Sequence, residues 1–206
     1  MKTAFKFKIE PWKTVSEKLV QAMNIFDVYK TRMRLESEAH EASFSVLKAP
    51  DWINVMALTE DEQVILVEQF RYGIEAPTLE LAGGVCDAGE APLETAKREL
   101  LEETGYATDH WVSLGKVSSN PAMQDNYTHS YLATRCIKVS EQKLDGNERI
   151  QVHLFPIYDF LDYVYQGTIH HSLVAATTAK YLLHQRSQSL YCLLYTSDAA
   201  DDRSCV

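Results

Sequence analysis

No stretch of the 206-residue chain approaches the roughly 20 consecutive apolar residues of a bilayer-spanning helix, so no membrane partner is expected. Basic residues are in deficit: 20 Lys and Arg against 29 Asp and Glu leave a formal charge of −9. A nucleic-acid surface needs a basic footprint, so nucleic acid is not an expected partner. Cysteine is scarce. Cys86, Cys136, Cys192 and Cys205 form no Cys-x-x-Cys pair, which predicts a reduced, cytoplasmic protein with isolated thiols. The N-terminus alternates Lys with Phe and lacks the apolar block of a secretory signal. No internal repeat or low-complexity segment is visible in the body of the chain.

What is present reads as one mixed domain with appendages. Half-buried alternation over Phe26–Leu35, then Ser43–Leu47 and Ile53–Leu58, predicts strands, and Thr59–Glu62 turns into a further strand over Val64–Phe70. Pro92 suits the first turn of a helix running to Thr104, and Gly105 suits its C-terminal cap. Trp111–Ser118, Tyr127–Ala133 and Ile150–Ile157 read as strands and Val139–Glu148 as a polar loop. Phe160–Tyr165 and His171–His184 read as closing helices, with periodicity ending near Arg186. Such an order predicts an α/β layered domain. Residues 189–206 change character abruptly, resemble a translated sequencing adaptor and are expected to be a non-native, disordered tail.

Chemistry concentrates in the run that follows Gly83-Gly84. Glu99 and Glu103 are four apart on the expected helix, and Glu102 sits beside them, so three carboxylates share one stripe. Leu93, Ala96, Leu100 and Leu101 occupy the other side. Like charges so placed repel by roughly 0.2–0.5 kcal/mol per pair. A divalent cation offsets that repulsion, and hard oxygen ligands suit Mg2+, which also bridges phosphates. An acidic chain can then accept an anionic substrate, because bound cations invert the local sign.

From Gly84 the order is Gly84, Glu90, Arg98-Glu99, Leu100, Glu102-Glu103 and Gly105. With that spacing the sequence resembles the box of the Nudix hydrolase family, departing only where Tyr106 replaces a usual aliphatic residue. The resemblance implies an α/β/α sandwich with a mixed sheet and a loop–helix–loop metal site. Glu99 and Glu103 would be the principal metal ligands, with Glu102 contributing and the Gly83–Gly84 turn offering a carbonyl. Gly84, Glu90, Arg98 and Gly105 would be structural. The implied cofactor is Mg2+, with Mn2+ as a substitute, and the implied reaction is hydrolysis of a nucleoside diphosphate derivative.

Outside the box, Val67-Glu-Gln-Phe-Arg71-Tyr and Leu79-Glu80-Leu-Ala-Gly-Gly resemble the lead-in of the ADP-ribose and ADP-sugar pyrophosphatase branch, with Ala82 replacing its usual Pro. Arg71 would then meet phosphates, for which a bidentate guanidinium is suited. Glu80 would approach the sugar or be an ordinary strand residue. Pro121 stands at an offset typical of substrate contact in that branch, or is a loop proline. Asn126 and His129 follow as site-lining residues, or as a strand-end Asn and a half-buried His. His170-His171 reads as a pair of helix-start histidines. Glu148 matches a further metal-ligand position. Gly146 occupies the place of the branch's base, so the catalytic acid–base falls to Asp145, Glu148 or Glu102.

The resemblance implies ADP-ribose or an ADP-sugar as the small-molecule nucleotide substrate. The alternatives are another NDP-sugar, a dinucleotide or NADH, or a non-catalytic nucleotide-sensing module. The expected organisation is an N-terminal strand extension over 1–48, a catalytic domain over 49–188 and the tail over 189–206. An extension of this kind implies a homodimer.

Overall fold

The computed structural model describes residues 5–195, with 189–195 described by backbone alone. Its strands are β1 (Lys13–Ala22), β2 (Asp27–Leu35), β3 (His40–Lys48), β4 (Trp52–Thr59), β5 (Gln63–Arg71), β6 (Ala76–Leu81), β7 (Tyr106–Ala107), β8 (His110–Ser118), β9 (Tyr127–Lys138) and β10 (Gln151–Pro156). The helices are α1 (Pro92–Thr104), α2 (Ile157–Gln166) and α3 (Ser172–Tyr195). Two units emerge: residues up to Pro50 with Asn120–Asn126, and Asp51–Ser119 with the chain from Tyr127 onward.

In the larger unit, β4 and β5 carry apolar residues without alternation because both of their faces are covered. Ile53, Val55 and Ala57 of β4, Ile65 of β5 and Ala133 of β9 pack with Ala96 and Leu100 of α1. Their neighbours Met56, Leu58, Val64, Leu66 and Leu132 point the other way, onto Phe160 of α2 and Val174 and Tyr181 of α3. The sheet runs β10-β5-β4-β9-β7, with β6 on β5 and β8 on β9. β4 and β9 are parallel while β5 and β6 are antiparallel, so the sheet is mixed and the unit is the expected α/β/α sandwich. No helix among the described residues is long and apolar enough to cross a membrane.

α1 starts and stops where the sequence places it. Pro92 lies in its first turn, and Gly105 caps it at φ 77°, donating its N–H to the Leu101 carbonyl at 2.8 Å. That left-handed conformation favours glycine. A Cβ at Gly105 would also overlap the Ser140 carbonyl oxygen.

In the smaller unit, β1, β2 and β3 form an antiparallel sheet. Every residue of β1 is exposed, so no buried face imposes the alternation that would have revealed it. The extension is not confined to residues 1–48. Leu47 donates its N–H to the Met123 carbonyl at 2.7 Å and accepts from Asp125 at 3.2 Å, which joins 120–126 to this unit. Pro121 is an exposed residue of that segment.

The closing helix differs from expectation as well. Its backbone continues through Tyr195 instead of stopping near Arg186. The sequence from Leu173 to Tyr195 contains neither Gly nor Pro, so nothing in it breaks the helix. Residues 189–195, expected to belong to a disordered tail, are instead helical in backbone, and residues 196–206 lie outside the described residues.

Candidate active site

Arg98 organises the acidic stripe. Its Nε and Nη2 donate to the two carboxylate oxygens of Glu90 at 3.1 and 2.9 Å, tying the loop before α1 to the helix. Its Nη1 reaches Glu99 at 2.9 Å and Glu102 at 3.2 Å. Arg98, expected to be structural, thus holds three carboxylates. Arg98 first, with Thr95 second, holds Glu90 at a pKa of about 2, and Glu90 in turn raises that of Arg98.

Glu103 sits deeper, at 3% exposure, and accepts the Gly83 N–H at 3.0 Å. Burial pushes its pKa up to about 8; the Gly83 N–H opposes this, and the charges of Glu99 and Glu148 add to it. Glu99 is raised for the same leading reason, with Arg98 opposing and Glu102 and Glu148 reinforcing. Burial and mutual repulsion drive both carboxyls toward protonation, and the positive charge near them, Arg98 for Glu99 and Arg71 for Glu103, does not offset this. Their all-oxygen donor set fits a hard divalent cation. Among the described residues no three acidic, His or Cys side chains yet close round a common point. Arg98 draws Glu99 and Glu102 toward itself while Glu103 faces Gly83.

Gly84 is required by this packing, since a Cβ there would overlap the Glu99 carboxylate. Gly84→Ala should displace Glu99 and lower activity by about 100-fold, on the scale of losing a positioned catalytic group. Circular dichroism should stay that of the wild type. Full activity in a folded Ala variant would remove Glu99 from the site.

The loop over 139–150 delivers Glu148. Gln142 Nε2 donates to the Glu103 carbonyl at 2.5 Å and the Ile150 carbonyl at 3.3 Å, and the Lys143 N–H donates to the Glu102 carbonyl at 2.8 Å. The loop is thus laced to the end of α1. Glu148 is half-buried and accepts the Asp145 N–H at 3.0 Å, whereas Asp145 is exposed. A cleft of about 270 Å3 lies between Glu148 and Arg149 on one side and Phe70, Arg71 and Tyr72 on the other.

Arg71 and Glu80 do meet, but each other. Nε and Nη2 of Arg71 donate to the two oxygens of Glu80, both at 2.6 Å, and Thr78 Oγ1 donates to Glu80 at 2.5 Å. Burial raises the Glu80 pKa, but the Arg71 and Thr78 hydrogen bonds outweigh it and hold the carboxyl below its ordinary value. Thr78 was not singled out in the sequence, where its one signal is a place two residues before Glu80 on one strand face, and His171 was read there only as a helix-start histidine. His129 pairs instead with Asp51 at 2.7 Å, and Asn126 donates to the Pro50 carbonyl at 2.9 Å.

Similarity to known proteins assigns the family. The NUDIX domain profile matches residues 50–172, more than half of the chain, and the protein belongs to that family as a Nudix hydrolase. Within the family it stands in the ADP-ribose pyrophosphatase-like branch. An ADP-ribose pyrophosphatase of Bacillus subtilis (strain 168) is 29% identical over 153 residues, covering 74% of this chain and 82% of that one. An ADP-ribose pyrophosphatase of Mycobacterium tuberculosis (strain ATCC 25618 / H37Rv) is 26% identical over 167 residues, 80% of each chain. A methanol dehydrogenase activator of Bacillus methanolicus is 26% identical over 165 residues, 78% of this chain and 89% of that one. A crystal structure of an ADP compounds hydrolase matches with a TM-score of 0.76, covering 89% of this chain and 98% of that one; at 18% identity this likeness bears on the fold.

Proposed function

We propose that the protein hydrolyses the diphosphate link of ADP-ribose or an ADP-sugar, using Mg2+ as its divalent cation. The carrying observation is the acidic set of Glu99, Glu103 and Glu148, whose charges act on one another beside Arg71. Glu99, Glu102, Glu103 and Glu148 would hold the cation, which neutralises diphosphate charge and polarises a phosphoryl oxygen. Arg71 would bind phosphate oxygens. A water oxygen bonds to phosphorus, its proton passes to a carboxylate, and the bridging P–O bond breaks with its electron pair on the departing phosphate. Glu148 is the favoured base over Asp145 because it is the loop acid whose charge reaches Glu99 and Glu103.

Turnover against ADP-ribose, ADP-glucose, other NDP-sugars, a dinucleotide and NADH tests this reading. ADP-ribose or an ADP-sugar should give the highest kcat/KM; preference for another class reassigns the substrate, and no turnover of any favours a sensor.

Two further parts of the reading concern assembly and setting. Among the described residues β1 is an edge strand with no partner strand on its outer side, which supports a homodimer built through the N-terminal sheet. Light scattering at micromolar concentration should give twice the chain mass of 23.4 kDa; a monomer mass overturns it. The buried free thiols Cys86 and Cys136 support a reducing, cytoplasmic setting.

A further inference from the structure

Arg71 and Glu80 lie on the same face of the β5–β6 pair, because Glu80 is opposite Val67 and Arg71 is opposite Ala76. Glu80 is only 1% exposed. One of its oxygens accepts both Arg71 Nε and Thr78 Oγ1; the other accepts Arg71 Nη2, and His171 Nε2 stands 3.8 Å from it, beyond hydrogen-bond distance. At that exposure the carboxylate presents no surface to a substrate sugar. Arg71 differs. Its side chain is 43% exposed, and its Nη1 makes no hydrogen bond among the described residues. The charges of Glu103 and Glu148 act on it, so this guanidinium borders the acidic site. Buried ion pairs seldom repay their desolvation in stability. What this one does supply is direction.

We propose that Glu80, backed by Thr78 and His171, is a positioning residue for Arg71. Glu80 occupies one edge of the guanidinium, which leaves Nη1 turned to the oxygens of the bound diphosphate. Thr78 orients the Glu80 carboxylate, and His171, at the start of α3, closes its remaining side. The proposal rests on the diphosphate reading above. It moves Glu80 from substrate contact to support and adds two residues to the site's recognition of phosphate.

Steady-state kinetics on ADP-ribose, with calorimetry of inorganic pyrophosphate in Mg2+, tests this in the full chain. Glu80→Gln should raise KM and weaken pyrophosphate binding by about tenfold, the scale of one charge-assisted hydrogen bond, with kcat reduced by no more than about threefold. His171→Ala should move the same two quantities by about threefold. The double variant R71A/E80Q should bind pyrophosphate as R71A does, because the clamp acts only through Arg71. If Glu80→Gln does not fold, Thr78→Val, which keeps the carboxylate, gives the same reading. Additive losses in the double variant overturn the proposal, as do unchanged KM and pyrophosphate affinity in folded variants. A wild type that leaves ADP-ribose intact but binds pyrophosphate overturns the substrate reading alone, and the pyrophosphate measurements still decide the clamp. A wild type that does not bind pyrophosphate overturns the clamp.

Discussion

Glu103→Gln is expected to lower hydrolysis by about 100-fold or more, the scale of losing a positioned ionic group at a reacting centre, while leaving the fold intact. Gln keeps the shape and the oxygen that accepts the Gly83 N–H, now at 3.0 Å, so the turn into the box stays tethered. It loses the negative charge that a cation requires. A near-wild-type rate in this variant would move the ligand role away from Glu103.

The same substitution should change how stability depends on pH. Burial raises the Glu103 pKa from 4.5 to about 8, so the folded state holds this proton more tightly than the unfolded chain. The resulting stabilisation is complete below the unfolded value and is lost as pH rises through the folded one. In EDTA, the wild type should therefore lose melting temperature relative to Glu103→Gln between about pH 5 and pH 9. Gln has no proton to lose, so the variant should be the more stable protein at the alkaline end. Parallel melting curves across that window would contradict the burial of a raised carboxyl.

Much of this site was legible because the box is a local pattern. Gly84, Glu90, Arg98, Glu99, Glu102 and Glu103 fall on one turn and one helix, and helical spacing alone gathers the acids on a stripe. The flanking glycines were legible for the same reason: each meets a steric demand made by a near neighbour, Glu99 at Gly84 and the cap at Gly105. The Arg71–Glu80 pair was half legible. Both residues stood out, but their meeting depends on the β5–β6 register, which a one-residue slip would abolish. His171 reaches Glu80 only because α3 packs back on the sheet, and no local pattern encodes that. β1 escaped because a fully exposed strand carries no burial signal. The joining of 120–126 to the N-terminal unit depends on hydrogen bonds to residue 47, far away in sequence.

Chelation should abolish the activity. The acidic set offers only oxygen donors, and Arg98, the cation already present among them, has its donors engaged by Glu90, Glu99 and Glu102. With a net charge of −9, the chain has no positive surplus with which to receive a diphosphate. EDTA followed by dialysis is therefore expected to reduce hydrolysis to background, and Mg2+ or Mn2+ to restore it. The protein alone should report the same event. A cation at 100 times its Kd stabilises the folded state by about 2.7 kcal/mol, equivalent for a chain of this size to a rise in Tm of roughly 5–10 °C. Glu103→Gln should show much less of that rise, because one of the charges being neutralised is gone. Undiminished turnover after chelation would remove the cation from the reaction, and equal Tm shifts in wild type and variant would place it elsewhere; either leaves the acidic stripe of α1 without its assigned role.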